Sequence, residues 1–379
     1  MGIVSLVADI THEGARSLIG PYLSLLGASG AIVGLVSGLG EFIGYGLRLL
    51  TGYLSDKTRK YWLFTFLGYT IDVFAVPALA LTGRWQTAAM LIILERIGKA
   101  TRKPAKDTLM SYAARNVGSG KGFAIAEVLD QIGAVAGPLI LSFILLFRSD
   151  DDIGNYQFAF AMLLIPALLT IVLLIFSKIN FPEPEKFETK QNKIDTKGLN
   201  RSYWLYLVAI SLIAAGFVDF PLLAFHFQRN MILTDSLIPF MYAIAMGIDA
   251  FAALIFGFLY DKIGMGSLII ASSLSLFFSP FAFLSNSIIL IIIGIIFWGI
   301  GMGAQESILK SVVADIIPSE KRGTAYGLFN TVFGLFWFIG SAIMGLLYDY
   351  SIITLVVFSM TLEVAAVIVL FVLKKKLTN

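Results

Sequence analysis

An all-α membrane protein of twelve transmembrane helices, in two pseudo-symmetric six-helix bundles with both termini cytoplasmic, is the fold that three observations predict. Hydrophobic residues make up 58% of the 379 and charged ones only 14%, giving a mean hydropathy of +0.84, far from the balance of a soluble domain. Apolar runs of about 20 residues, the length that crosses a ~30 Å hydrocarbon core, recur along the whole chain. A polar stretch, INFPEPEKFETKQNKIDTKGLN at 179–200, divides those runs six and six.

The runs are continuous rather than alternating, so they read as helices, which satisfy their backbone hydrogen bonds internally, and not as barrel strands. In order, the segments are 2–27, 30–54, 61–82, 86–113, 121–147, 156–178, 203–228, 236–260, 265–284, 287–314, 320–347 and 351–373. The first carries no basic leading region and no small-residue cleavage site, so it is expected to span the membrane rather than act as a signal peptide. One set of connections holds seventeen of the 28 Lys and Arg residues, from Lys57, Arg59 and Lys60 to Lys374, Lys375 and Lys376. The opposite set holds only Arg84, Arg148 and Arg229, beside the acidic Asp150, Asp151 and Asp152. By the positive-inside rule both termini face the cytoplasm, and the net charge of +3 reflects topology rather than affinity for nucleic acid. With no cysteine, disulfides and thiolate metal sites are excluded.

The expected domains are an N-terminal bundle at 1–180, a cytoplasmic linker at 181–201 and a C-terminal bundle at 202–379. A repeat supports the division. GYLSDKTRKY begins at Gly52 after the second segment, and GFLYDKIGMG begins at Gly257 after the eighth. These stretches resemble the G-x-x-x-D-[RK]-x-G-[RK]-[RK] signature of the major facilitator superfamily of secondary transporters. Gly52, Asp56, Lys57, Arg59 and Lys60 carry it, with Thr58 in the place of the usual glycine; Gly257, Asp261, Lys262 and Gly264 carry the second copy without the trailing basic pair. The resemblance implies two halves rocking about a central site, with these residues as a conformational latch. Pro318 and Ser319, read as the start of segment eleven, offer Asp56 a helix N-terminus as partner. Topogenic charge alone is the competing account. Gly133, Gly137 and Pro138 resemble part of the helix-five pattern of the family's proton-driven exporters, implying a hinge there; a packing face is the alternative.

Eight basic residues lie inside the segments: Arg16, Arg48, Arg96, Lys99, Arg102, Lys103, Lys106 and Lys310. Each costs about 2.5–3.5 kcal/mol at mid-helix on insertion scales, so partners or water are required. Asp9, His12, Glu13 and Arg16 fall at i, i+3, i+4 and i+7, forming one stripe on segment one. Asp219 and His226 stand seven apart on segment seven, Glu127 and Asp130 three apart on segment five, and Glu306 and Lys310 form an i, i+4 pair on segment ten. On segment four, LERIGKATRKPAKDTLM aligns Arg96, Lys99, Lys103 and Lys106 within roughly 80° by the 100° step, leaving Arg102 off the stripe. It resembles an E-R-x-G-K-x-x-R-x-P-x-[KR]-D pattern of a prokaryotic branch of the superfamily, matched by Glu95, Arg96, Gly98, Lys99, Arg102, Pro104, Lys106 and Asp107. That resemblance implies a proton-coupling role for Arg96. Structural pairing with Asp9, Glu13, Glu127 or Asp130 is the plainer account.

The expected function is secondary transport by rocker-switch alternating access: proton-coupled export of a small organic solute or drug, or, alternatively, uptake or exchange of an anionic solute. The candidate coupling or binding residues are Asp9, His12, Glu13, Arg16, Glu95, Arg96, Lys99, Glu127, Asp130, Asp219, His226 and Glu306. Two histidines and no metal-spaced cluster argue against an enzyme, and the absence of a G-x-x-x-x-G-K-[ST] loop argues against ATP-driven transport. No cofactor and no nucleic acid are expected. The expected setting is the plasma membrane, as a multi-pass monomer whose partners are a small-molecule substrate, protons and lipid.

Overall fold

The computed structural model describes residues 1–113, 119–148, 153–181, 201–318 and 321–378, and the regular elements among them are helical. They are α1 (Gly2–Leu25), α2 (Gly30–Thr58), α3 (Tyr61–Ala78, followed by a 3₁₀ turn), α4 (Trp85–Ala113), α5 (Ser119–Leu146), α6 (Ile153–Met162), α7 (Leu164–Asn180), α8 (Arg201–Gly216), α9 (Phe220–Arg229), α10 (Leu237–Ile263), α11 (Met265–Ser275), α12 (Phe278–Phe283), α13 (Ile288–Ile316), α14 (Arg322–Tyr350) and α15 (Ile352–Thr378). The predicted linker, apart from its end residues, and the acidic Asp150–Asp152 loop lie outside the described residues.

Segments six, seven and nine are each two helices end to end: α6 and α7, α8 and α9, α11 and α12. In every case a proline follows the break within the first turn of the second helix, at Pro166, Pro221 and Pro280. There its missing N–H costs nothing. Ten helical spans are long and apolar enough to cross a bilayer among the described residues. The remaining long helices, α1 with 24 residues and α4 with 29, stand apart from that set because they carry the charges described below.

The chain packs as two compact units. The first comprises Met1–Ala28, Leu39–Lys190 and Ala224–Ala243; the second comprises Ser29–Gly38, Gln191–Leu223 and Ile244–Asn379. Glycines set the helix contacts of the first. A Cβ on Gly133 or Gly137 of α5 would strike the Leu6 or Ile10 carbonyl oxygen of α1, so the glycines of the helix-five pattern are a contact face. At the α3–α4 crossing, a Cβ on Gly98 would sit 2.5 Å from the Asp72 nitrogen, and one on Gly68 2.5 Å from the Arg102 nitrogen. Tyr22 fastens α1 to the end of the 3₁₀ turn, donating to the Thr82 carbonyl at 2.7 Å.

The second unit is held by aromatic packing and by polar tips anchored on backbone carbonyls. Phe217 lies 5.1, 5.5 and 5.8 Å from Phe278, Trp298 and Trp337, separations that suit tilted aromatic pairs. Tyr203 donates to Ala325 O and Tyr206 to Leu309 O, both at 2.6 Å. Trp298 Nε1 donates to Val218 O at 2.8 Å. The first turns of α2 belong here. Ser29 Oγ accepts from Ile32 N at 3.3 Å, while Asp349, near the end of α14, accepts from Gly30 N at 2.9 Å and Ala31 N at 2.8 Å. Three otherwise orphaned amides are thus capped. Below the cap the helices touch at backbone level: a Cβ on Gly34 would fall on the Ser341 carbonyl oxygen and 2.9 Å from Gly345 Cα.

The signature turns correct one reading of the sequence. Arg59 has φ 55° and Gly264 φ 56°, each three residues after its aspartate, Asp56 and Asp261. The glycine position of the signature is therefore Arg59, not Thr58. The turn requires a left-handed residue, and only the second copy supplies the glycine that adopts it freely.

Candidate functional site

Beside its apolar core the first unit holds a buried ionic network. Its centre is a closed ring of six side chains in which acids and bases alternate. Glu13 contacts Arg16 (4.0 Å), Arg16 contacts Glu41 (3.4 Å), Glu41 contacts Arg96 (3.1 Å), and Arg96 contacts Glu95 (3.3 Å). Glu95 meets His12 Nδ1, and His12 Nε2 lies 3.4 Å from Glu13 Oε1. The ring draws on α1, α2 and α4. His12 is 3% exposed, Glu95 4%, Arg96 5% and Arg16 6%, so their charges are compensated inside the protein rather than by water. Gly40 makes the room: a Cβ there would sit 2.9 Å from Arg96 Cγ.

Two branches leave the ring. Glu13 also receives Lys99 Nζ at 3.6 Å and the Tyr242 hydroxyl, which donates to Oε2 at 2.6 Å. Toward the other end of α4, Arg102 donates to Asp72 at 2.5 Å, reaches Asp9 at 3.8 Å and stacks on the Tyr69 ring at 4.3 Å. The backbone contact at Gly68 and Gly98 is what brings Asp72 to Arg102. Lys106 then donates to Ser5 Oγ at 2.7 Å and pairs with Asp130 at 3.5 Å. The ion-paired network therefore contains six carboxylates (Asp9, Glu13, Glu41, Asp72, Glu95, Asp130), five Lys and Arg side chains (Arg16, Arg96, Lys99, Arg102, Lys106) and His12.

A small cavity of about 10 Å³ lies between α1, α3 and α4, lined by apolar residues such as Ile19, Val76 and Leu91 and, at its polar end, by His12 and Glu95. Ligand atoms of His12, Asp72 and Glu95 lie within 4.8 Å of one another. A metal ion there would compete with the Arg102 guanidinium for Asp72 and with Arg96 for Glu95, so the donor set fits ion pairing better than metal binding.

Other residues singled out in the sequence lie elsewhere. Glu127 and Glu306 are exposed. Asp219, 2% exposed, caps α9 by accepting from Phe220 N at 2.9 Å. His226 belongs to the first unit and meets Asn230 Nδ2 through Nδ1 at 3.0 Å. Lys103 pairs with Asp107 at 3.9 Å, where both are half-buried. In the first signature copy, a Cβ on Gly52 would meet Pro104 at 3.4 Å and Asp56 is hydrogen-bonded to Tyr61 at the start of α3; Lys57 lies over the Tyr53 ring at 5.7 Å. Ser319, half of the helix start expected to receive Asp56, falls outside the described residues. In the second copy Gly257 has nothing within 4 Å, and Asp261 is exposed.

Sequence reasoning left out Glu41, Asp72, Arg102, Lys106 and Tyr242 as site members. Arg102 lies off the stripe because α4 is buried on two faces: Arg96 and Lys99 turn toward α1 and α2, Arg102 toward α3. Glu41 has a signal that could have found it, since a carboxylate inside an apolar run marks a functional site by default.

The model of the Major Facilitator Superfamily matches residues 2–341 and, again, 205–378. An uncharacterized protein of Mycobacterium tuberculosis is 41% identical over 380 residues, covering 98% of this chain and 91% of that protein. An uncharacterized MFS-type transporter of Methanocaldococcus jannaschii is 29% identical, covering 93% of this chain and 88% of that protein. The crystal structure of the nucleoside transporter NupG is similar with a TM-score of 0.75 at 15% identity, over 100% of this chain and 98% of that one. The inward-open xylose transporter XylE from E. coli gives 0.70 at 14%, over 97% and 94%. At such identities the two structures are likenesses of fold.

Proposed function

The chain belongs to the Major Facilitator Superfamily, and from that premise we propose that it is a proton-coupled exporter of a small organic solute or drug. Family and fold make it a multi-pass membrane protein that moves a small-molecule substrate by alternating access. The finer reading is ours: α1 and α4 span with the ten apolar helical spans, both termini are cytoplasmic, and the protein works as a monomer in the plasma membrane without catalysing a covalent reaction.

One observation carries the proton coupling. In a buried network of six carboxylates, five Lys and Arg side chains and one imidazole, each ionisable group contacts another, so a proton gained or lost by one changes the pairing of the next. Arg96, a member of the ring, biases whichever group takes that proton. Export is favoured by the partial helix-five pattern. Uptake or exchange of an anion is favoured by Lys99, whose side chain is 21% exposed and which contacts a single carboxylate, Glu13.

Proteoliposomes holding a pH-sensitive dye test both. Candidate solutes are expected to drive protons in the direction opposite to their own, and Arg96→Gln and Glu13→Gln to abolish that flux in folded protein. Movement of solute and proton together selects the uptake reading, and unchanged coupling in both variants refutes proton coupling through this network.

A further inference from the structure

We infer that Glu363 of the second unit is a proton-binding site outside the ionic network: a neutral carboxylic acid whose O–H donates to Ser275 Oγ and fastens α15 to α11. The inference stands apart from the coupling reading above, because its residues lie on other helices. Glu363 sits near the middle of α15 and is 0% exposed. Gly216, the last residue of α8, leaves room for its stem, since a Cβ there would fall 3.3 Å from Glu363 Cγ. One turn earlier on α15, Ser359 Oγ donates to the Gly216 carbonyl at 2.7 Å. This face of α15 is thereby held against α8 with the carboxyl inside.

The count of hydrogens decides the protonation state. Glu363 Oε2 lies 3.2 Å from Ser275 Oγ, and Ser275 Oγ lies 3.0 Å from the Ser272 carbonyl oxygen. A hydroxyl has one hydrogen, and a carbonyl can only accept. Ser275 closes α11, and its hydrogen goes to Ser272 in the shorter contact, where a last-turn carbonyl calls for a donor. A lone pair remains toward Glu363, and only a carboxyl that carries its own proton can donate to it. An ionised carboxylate would instead draw the hydroxyl to about 2.5–2.7 Å, well inside the observed separation.

Nothing around Glu363 supports a charge. Oε1 has no hydrogen-bond partner among the described residues. Of the helices packed on α15, namely α8, α11, α12 and α14, α11 and α12 carry no ionisable side chain. On α8, Arg201 lies fifteen residues before Gly216, while Tyr203 and Tyr206 donate to carbonyls of Ala325 and Leu309. On α14, Arg322 and Tyr326 stand at one end and Tyr348, Asp349 and Tyr350 at the other. On α15 itself, Lys374 comes eleven residues later, about 16 Å along the helix. On α13, which approaches Ser275 at Gly301, the nearest charge is Glu306. An ionised carboxylate so placed is costly enough to take up a proton instead. A metal ion fits less well. The three oxygens that converge, Glu363 Oε2, Ser275 Oγ and Ser272 O, keep hydrogen-bond separations, whereas calcium or magnesium takes about six or more.

Infrared spectra of the whole protein in lipid test the state directly. At about pH 7 a solvated glutamate, with a pKa of about 4.3, is ionised; Glu363 is expected to give a carboxylic-acid carbonyl band. Glu363→Gln, which keeps the shape of the neutral acid, is expected to remove that band, and Ser275→Ala, which removes the acceptor, to move it to higher frequency. Thermal unfolding supplies a second readout. A proton bound in the folded state and lost from the unfolded one makes stability fall as pH rises, so the native unfolding temperature is expected to drop more between about pH 7 and about pH 9 than that of Glu363→Gln. Sodium and choline chloride are expected to give the same curves. Identical carboxylic-acid regions in native and Glu363→Gln protein overturn the inference, as do equal drops in unfolding temperature. A stabilisation by sodium that Glu363→Gln abolishes also overturns it, making the occupant a metal ion. If the glutamine variant does not fold, the band in Ser275→Ala decides: moved, it upholds the inference, and unmoved, it overturns it.

Discussion

Replacing Asp349 by alanine removes both acceptors from the first turn of α2, and the structure sets the size of the effect. The Gly30 amide is buried and donates to Oδ1 at 2.9 Å, so its loss leaves a donor that water reaches poorly. That costs about 1–3 kcal/mol. The Ala31 bond, at 2.8 Å, is exposed, and water replaces it at little cost. Losing a carboxylate at a helix N-terminus adds about 0.3–1 kcal/mol, toward the lower end because Asp349 itself is exposed. A loss of about 1–3 kcal/mol is therefore expected for Asp349→Ala, and about half of that for Asp349→Asn, which keeps one oxygen. Thermal unfolding in detergent, followed by circular dichroism at two protein concentrations, measures both. Equal stability of wild type and Asp349→Ala would refute the capping argument, as would an asparagine variant worse than the alanine one.

Three further outcomes follow from the same geometry. Asp72→Asn leaves Arg102 buried with Asp9 at 3.8 Å as its remaining carboxylate, and is expected to cost about 3–5 kcal/mol, part of which Asp72→Asn with Arg102→Gln recovers in the same unfolding assay. Arg59→Gly releases a left-handed residue worth about 1–2 kcal/mol against a glycine entropy cost of about 0.5–1 kcal/mol, so a net gain of up to about 1 kcal/mol is expected; a lower unfolding temperature contradicts the strain. Gly34→Leu drives a side chain into backbone of α14 and is expected to reduce the yield of folded protein severalfold on size-exclusion chromatography, whereas Gly257→Ala, with nothing within 4 Å, leaves it unchanged.

The parts of this structure legible in the sequence are those set by local pattern. Apolar length places the helices with ends shifted by a few residues, because a bilayer imposes one thickness on every span. The spacing of Asp9, His12, Glu13 and Arg16 gives their shared face directly, since helical periodicity is fixed. What is illegible depends on which helices meet. Nothing near Glu41 indicates that it closes a ring between Arg16 and Arg96, and Arg102 leaves its expected face because the α3 crossing at Gly68 and Gly98 creates a second one. Arg59 is legible from spacing, since the offset between the two copies sets it opposite Gly264, and it adopts the same left-handed conformation.

The charge carried by α4 also bears on how the protein is made. On the topology proposed above, a helix with Arg96, Lys99, Arg102 and Lys106 is a poor substrate for insertion by itself, at about 2.5–3.5 kcal/mol for each central basic residue. Four of its counter-charges, Asp9, Glu13, Glu41 and Asp72, lie on α1, α2 and α3, so they leave the ribosome before α4 does. With α4 spanning as proposed, the order of synthesis supplies acids to the bilayer ahead of the bases they neutralise.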